Sequence, residues 1–204
     1  MQSALISTPF VFPVVSYLAG SIPFGLIFAR FHGKDPRRYG SGNIGATNIA
    51  RLLGKKWGLL TLFSDILKGF LPVIWAYYSG IETLYLALTG LAAVLGHCFS
   101  IFLFFRGGKG VATAVGVFLA ICPKSVGIAA IVFFAVLRMF GYVSASSLAA
   151  ATAIPVLVHI FCRSEILESM SWSICLIIWL KHVDNLKRLS KGEEKRINFQ
   201  SQGT

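Results

Sequence analysis

Seven long apolar stretches run through the chain, and they decide what it can fold into. A helix that crosses the hydrocarbon core of a bilayer needs about 20 apolar residues, and 55% of this 204-residue chain is apolar. The sequence therefore predicts an all-α integral membrane protein, a single polytopic membrane domain over residues 1–204 with a flexible tail from residue 192. The stretches cover about residues 10–31, 57–79, 84–105, 111–122, 125–140, 144–162 and 166–180.

The fourth stretch decides the number of crossings. Residues 111–122 are too few to cross a typical bilayer upright, and Pro123 ends the stretch because proline cannot donate the next helical hydrogen bond. Joined to the fifth stretch, it would reach 30 residues, which is too long for one crossing. We therefore expect two separate short helices here, and about seven transmembrane helices in all.

The positive charge is concentrated on one side of this arrangement. The chain has 19 Lys or Arg against 8 Asp or Glu, which gives a net charge of +11. With seven crossings, 16 of the 19 basic residues fall in the loops of one side. Basic loops stay in the cytoplasm, so we expect the N-terminus outside and the C-terminus in the cytoplasm. No cleaved signal peptide is expected, since no basic segment precedes the first stretch.

A glycine-rich segment after the first stretch has the composition of an anion site. Its three glycines let backbone N–H groups converge on one point, and a helix that starts near Ala46 would direct its positive end there. Arg51 adds a planar cation suited to phosphate. A merely flexible loop would explain the glycines but not the clustered donors. The segment reads Gly40-Ser41-Gly42-Asn43-Ile44-Gly45-Ala46-Thr47-Asn48.

This segment also matches G-x-G-x-x-G, the fingerprint of dinucleotide-binding folds. That fingerprint requires a preceding strand and a βαβ unit, whereas here a membrane helix precedes it. A dinucleotide fold is therefore not predicted.

A second glycine-rich segment lies between the third and fourth stretches, on the same predicted side. It is not a Walker A loop, but it shares that loop's chemistry: exposed backbone amides, one lysine and a helix start directly after it. The alternative is a tight turn whose lysine only sets topology. The segment reads Arg106-Gly107-Gly108-Lys109-Gly110-Val111-Ala112-Thr113.

Two pairs of polar residues at helical spacing and four cysteines remain to be interpreted. His182 and Asn185 lie one turn apart and can face the same target, although an interfacial anchor is the alternative. Asp65 and Lys68 lie inside the second stretch, where an ion pair and a substrate site are equally compatible with the pattern. The cysteines form no CxxC motif, so neither a disulfide framework nor a metal site is expected; they are Cys98, Cys122, Cys162 and Cys175.

These motifs resemble the bacterial acyl-phosphate:glycerol-3-phosphate acyltransferase family (PlsY type). The resemblance spans about residues 17–194 and depends on the two glycine-rich segments, on Gly96-His97, and on the series His182, Asn185, Gly192 and Glu194. Two positions depart from the family pattern. Val183 stands where an arginine is common, so its contact is absent or supplied elsewhere, for example by Arg188. Ser100 stands where a proline is usual.

The resemblance implies an enzyme of phospholipid synthesis in the bacterial inner membrane, with its active site facing the cytoplasm. It would transfer an acyl group from acyl phosphate to the 1-hydroxyl of sn-glycerol 3-phosphate, without a cofactor, a metal or a nucleic-acid partner, and we expect a monomer. The acyl phosphate would be bound by Ser41, Gly42, Asn43, Gly45, Ala46, Thr47 and Asn48. Glycerol 3-phosphate would be bound by Arg51, Gly107, Gly108, Lys109, Gly110, Ser144, His182 and Asn185, among which Arg51, Lys109, His182 and Asn185 would be catalytic.

We expect the glycerol hydroxyl to attack the acyl phosphate directly, with a phosphate oxygen of the donor taking the proton. His182 is the alternative base. No G-x-S-x-G nucleophile motif is present. A transporter for a phosphorylated metabolite is the competing interpretation, but the chain shows no internal repeat and its cationic motifs lie on one face rather than at mid-membrane.

Overall fold

The computed structural model describes residues 9–197, and over this range it contains helices and no strands. The predicted all-α class is therefore confirmed. The described residues form two compact units, one up to Ile121 and one from Cys122. Between residues 9 and 197, ten α-helices follow one another in chain order: α1 Val11–Ser21, α2 Phe24–Phe31, α3 Ala46–Leu53, α4 Lys55–Tyr78, α5 Thr83–Cys98, α6 Val111–Ile121, α7 Pro123–Phe140, α8 Val143–Cys162, α9 Glu165–Lys181 and α10 Val183–Ser190.

In the part of the chain that the structure describes, five helical segments are long and apolar enough to cross a membrane, and a sixth qualifies if the bent pair α9–α10, with its 53° angle, counts as one. Helix α6 is separate from α7, as predicted, because Pro123 occupies the first turn of α7. Its 11 residues span only about 16 Å. Seven crossings therefore stay a prediction. The five segments are Val11–Phe31, Lys55–Tyr78, Thr83–Leu103, Pro123–Phe140 and Val143–Cys162.

In the first unit, glycines let helix backbones touch. A Cβ atom on Gly20 would overlap the carbonyl oxygen of Ala93, and one on Gly96 would overlap that of Tyr17, so α1 and α5 pack backbone to backbone. Directly after Gly20, helix α1 ends at Ser21, and α2 begins only after Pro23. This is the break and close packing that small residues permit in membrane helices.

Helix α4 is the central helix of this unit. A Cβ atom on Gly69 would overlap the carbonyl oxygen of Thr113, and one on Gly116 would overlap that of Ile66. These contacts hold α6 against α4 directly after the second glycine-rich segment. At the start of α4, Gly58 lies against Ala50 of α3. Helix α4 therefore supports the elements that follow both glycine-rich segments.

The second unit begins with the helical hairpin α7–α8. The chain turns at Gly141, whose φ of 76° favours glycine. Ile197 N–H donates to the carbonyl oxygen of Gly141 at 2.9 Å, so this part of the predicted tail lies against the turn. Residues 198–204 of that tail lie outside the described residues. Cys162 at the end of α8 lies beside Cys122, which precedes α7, a proximity that the sequence pattern did not indicate.

Candidate active site

The first glycine-rich segment folds around the side chain of Asn48. Its Oδ1 atom accepts from Ser41 N–H at 3.1 Å. Its Nδ2 group donates to the carbonyl oxygens of Pro36 at 3.0 Å, Tyr39 at 3.0 Å and Asn43 at 2.8 Å. One buried side chain thus ties four points of the loop together.

These bonds change the interpretation of Asn48. The sequence predicts it as a donor to a bound phosphate, yet an amide NH₂ group has only two hydrogens and both point to backbone carbonyls. We therefore propose that Asn48 shapes the loop, and direct binding of acyl phosphate by Asn48 stays a prediction. Gly40 is required beside it, because its φ is +61° and a Cβ atom there would overlap Asn48 Oδ1.

The loop leaves the start of a helix open. Helix α3 begins at Ala46, as predicted, and Gly45 before it provides no side-chain cap. The first N–H groups of a helix have no acceptor within the helix, so they can serve an anion. Ser41 and Thr47 are exposed beside this end, and Arg51 is exposed in the last turn of α3.

The second glycine-rich segment folds back onto the end of α5. Gly107 N–H donates to the carbonyl oxygen of Cys98 at 3.2 Å, and Gly108 N–H donates to that of His97 at 3.0 Å. Gly110 has a φ of +86°, and α6 begins at the next residue. The predicted helix start is therefore confirmed, and the half-buried Lys109 directly precedes it.

A buried ion pair lies in α4. Lys68 Nζ is 2.9 Å from Asp65 Oδ1, and both side chains are under 5% exposed. Lys68 also donates to the carbonyl oxygen of Ile22 at 2.7 Å, at the break between α1 and α2. His97 Nδ1 lies 3.7 Å from the same carboxylate oxygen. The pairing that the sequence allowed is thus present, and it includes a histidine that sequence spacing did not connect to it.

In the second unit, Glu194 is the centre of a polar cluster. Its Oε1 atom accepts from Ser144 Oγ at 2.7 Å and from Asn185 Nδ2 at 2.6 Å. Its Oε2 atom accepts from Arg188 Nε at 2.7 Å. Burial alone would raise the pKa of the Glu194 carboxyl, but the hydrogen bonds from Arg188, Ser144 and Asn185 outweigh it, and the pKa lies below the usual value.

Two predicted residues have different settings from those expected. Ser144 was expected in the loop before α8, but it lies in the first turn of that helix, because Tyr142 rather than Ser144 ends the turn. His182 lies at the bend between α9 and α10. Its Nδ1–H donates to the carbonyl oxygen of Ile178 at 2.8 Å, which makes Nε2 the acceptor nitrogen of the neutral ring.

The predicted residues thus fall into three local groups. Arg51 and the 40–48 loop form the first group, and Lys109 with its glycines forms the second. Ser144 and Asn185 meet on Glu194 in the third, and His182 lies three residues before Asn185 at the start of α10. Spacing alone could not find Glu194 as a centre, since it is 50 residues from Ser144. Within residues 9–197, no three His, Cys, Asp or Glu side chains group closely enough to hold a metal ion.

Comparison with known proteins places these features in one family. The family model described as glycerol-3-phosphate acyltransferase matches residues 10–192. A glycerol-3-phosphate acyltransferase of Desulfotalea psychrophila is 46% identical over 190 residues, covering 91% of this chain and 96% of the relative. One of Geotalea daltonii is 48% identical over 179 residues, covering 88% and 92%.

Two solved structures share the fold. PlsY (YgiH), an integral membrane glycerol 3-phosphate acyltransferase in its glycerol 3-phosphate form, superposes with a TM-score of 0.91 at 39% identity, covering 94% of this chain and 96% of that one. Its lysophosphatidic acid form gives a TM-score of 0.89. The sequence match and the fold agree over nearly the whole chain, so this multi-pass membrane protein belongs to the glycerol-3-phosphate acyltransferase family.

Proposed function

We propose that this glycerol-3-phosphate acyltransferase uses acyl phosphate as its donor. It would acylate the 1-hydroxyl of sn-glycerol 3-phosphate, giving lysophosphatidic acid and phosphate, the first step of phospholipid synthesis. The family membership and the two ligand forms of the related PlsY structure support this acceptor and product. The observation that supports a phosphate-bearing donor is the uncapped start of α3 beside the Asn48-shaped loop.

The first glycine-rich loop is proposed to bind the acyl phosphate head group. Its exposed hydroxyls on Ser41 and Thr47 and the open amides at the start of α3 provide donors for phosphate oxygens. Gly42, Asn43, Gly45 and Ala46 would contribute backbone. Asn43 Oδ1 accepts a hydrogen bond from Gly45 N–H at 2.7 Å, so the Asn43 side chain stabilises the conformation of the loop, as that of Asn48 does.

Glycerol 3-phosphate is proposed to bind to cations and polar side chains. Arg51 suits two oxygens of one phosphate, whereas Lys109 acts as a point charge beside the glycine amides. Gly107, Gly108 and Gly110 give the close backbone approach that such a site needs. Ser144, His182 and Asn185 would bind the remaining polar groups of the acceptor. Glu194 would orient Ser144 and Asn185.

The chemistry is proposed to be a direct transfer. The oxygen of the 1-hydroxyl forms a bond to the acyl carbonyl carbon, and the bond from that carbon to the phosphate oxygen breaks. The hydroxyl proton goes to an oxygen of the departing phosphate. The protein contributes proximity and cations that stabilise the developing negative charge. His182 is the alternative acceptor, since Nε2 is its acceptor nitrogen.

The membrane arrangement is likewise a proposal. We infer seven crossings in a bacterial inner membrane, with the N-terminus outside, the catalytic loops in the cytoplasm and the protein acting as a monomer. The position of the basic residues supports this orientation. One membrane domain would then include both compact units.

The donor is tested by parallel reactions of the purified protein. Radiolabelled glycerol 3-phosphate is incubated with palmitoyl phosphate in one reaction and with palmitoyl-CoA in the other. We expect labelled lysophosphatidic acid only with palmitoyl phosphate. Equal incorporation from palmitoyl-CoA would contradict the proposed donor, and its absence from both would contradict the proposed function.

A further inference from the structure

A chain of buried polar groups in the first unit connects α4 to the second glycine-rich segment. Lys68 pairs with Asp65 at 2.9 Å, and Asp65 Oδ1 lies 3.7 Å from Nδ1 of His97. All three side chains are buried. None of them is among the residues proposed to bind substrate, so their placement needs another explanation.

His97 contacts the glycine-rich segment through both its backbone and its ring. Its carbonyl oxygen accepts from Gly108 N–H at 3.0 Å. A Cβ atom on Gly107 would overlap that same oxygen, and one on Gly108 would overlap Nε2 of the ring. The imidazole is therefore held between the Asp65 carboxylate on one edge and the backbone of Gly108 on the other. Lys109 is the next residue.

Burial and pairing fix the position of the Asp65 carboxyl group. A carboxylate away from water costs several kcal/mol unless cations and donors compensate it. Lys68 compensates it, and Lys68 is itself held by the carbonyl oxygen of Ile22 at 2.7 Å and lies 5.9 Å from the ring of Phe24. Because moving Asp65 would break this pairing, its position is fixed, and it restrains the histidine ring in turn.

We propose that Asp65, acting through His97, positions the Gly107–Lys109 backbone for phosphate binding. Asp65 and His97 are positioning residues, and Lys68 keeps the buried carboxyl group in place. The inference rests on the proposed role of Lys109 in binding glycerol 3-phosphate. Loosening the Gly107–Lys109 segment should therefore weaken the binding of glycerol 3-phosphate more than that of acyl phosphate, because the first glycine-rich loop would bind the acyl phosphate.

The test compares steady-state kinetics for the two substrates in four proteins. His97→Ala removes the ring, whereas His97→Asn retains a donor near the place of Nδ1. His159→Ala is the matched control, because His159 also pairs with a carboxylate, that of Glu168, at 2.8 Å, but its side chain is exposed and lies in the second unit. Misplacement of a binding group by about 1 Å can cost about 100-fold in rate.

We expect His97→Ala to raise the KM for glycerol 3-phosphate at least about 10-fold with little change in the KM for palmitoyl phosphate. His97→Asn should recover part of that loss, and His159→Ala should match wild type. Equal effects on both substrates, or wild-type kinetics in folded His97→Ala, would overturn the proposal. Wild-type protein that makes no lysophosphatidic acid would instead contradict the proposed function.

A second variant guards against loss of folding. Asp65→Asn combined with Lys68→Met removes both buried charges at nearly constant volume, and such replacements are often neutral for stability. With the thermal midpoint near wild type, this variant should show the same selective rise in the KM for glycerol 3-phosphate. An unchanged KM would show that the charge of Asp65 does not act through His97.

Discussion

Asn185 donates a hydrogen bond of 2.6 Å to Oε1 of Glu194, and the same oxygen accepts from Ser144 at 2.7 Å. Two residues proposed to bind glycerol 3-phosphate are thereby oriented by one carboxylate. Arg188 compensates its charge through Oε2. This is a specific role for Arg188 in a chain that has Val183 where the family resemblance leads us to expect an arginine.

The Glu194 cluster predicts a pH dependence of stability. The pKa of Glu194 in the folded protein lies below its ordinary value, so its stabilisation is complete above about pH 4.3 and is lost as the pH falls through the lowered pKa. Glu194→Gln should therefore lower the free energy of unfolding by about 1–3 kcal/mol at pH 7. Thermal unfolding of both proteins from pH 7 to pH 3 should show this difference shrinking below about pH 4.3. A constant difference would contradict the ionised cluster.

The role assigned to Asn48 predicts a structural rather than a ligand-binding defect. Asn48→Ala removes the bonds to three carbonyls and one N–H, and should lower the free energy of unfolding by about 2 kcal/mol or more. Ser41→Ala, at an exposed position of the same loop, should keep stability and raise the KM for acyl phosphate. Thermal midpoints and KM values separate the two. Native stability of Asn48→Ala with a selective KM defect would restore Asn48 as a ligand.

Arg51 and Lys109 should each be required for catalysis. Removing one charged donor from a site that stabilises developing charge costs about 100-fold or more, so Arg51→Ala and Lys109→Ala should lose at least that much kcat/KM and remain folded. Lys55→Ala, at an exposed basic residue of the same region, should stay within about twofold of wild type. Near-wild-type activity in both active-site variants would contradict the proposed phosphate site.

The proposed orientation can be tested by labelling from one side of the membrane. Lys124 and Lys191 are both exposed, and seven crossings put Lys124 outside and Lys191 in the cytoplasm. Each is changed to cysteine in a chain whose four native cysteines are replaced with alanine. A membrane-impermeant maleimide should label Lys124→Cys in intact cells and Lys191→Cys only after lysis. The reverse pattern would invert the topology, and labelling of both in intact cells would change the number of crossings.

Local patterns in the sequence predicted the parts of the fold that depend on neighbouring residues. The helix starts at Ala46 and Val111 followed from glycine segments joined to apolar runs, and the Asp65–Lys68 pair was one of the two interpretations that the i,i+3 spacing allowed. The break predicted at Pro123 is also present, since α6 ends before it and α7 begins at it.

Contacts between distant residues could not be predicted in this way. Asn48 has the composition of a phosphate donor, and only the fold shows that its amide is used by the loop itself. His97 and Asp65 are on different helices, and Glu194 lies 50 residues from Ser144. The spacing of apolar residues predicts which residues lie on a helix, but it does not predict which residues of two helices come into contact.

Transfer of the acyl group is tested most directly by following both products in one reaction. Purified protein receives palmitoyl phosphate, and phosphate and lysophosphatidic acid are measured with and without glycerol 3-phosphate. We predict that phosphate release depends on the acceptor and equals lysophosphatidic acid formation one to one. Phosphate released at the same rate without glycerol 3-phosphate, with no lysophosphatidic acid, would show hydrolysis and contradict direct transfer.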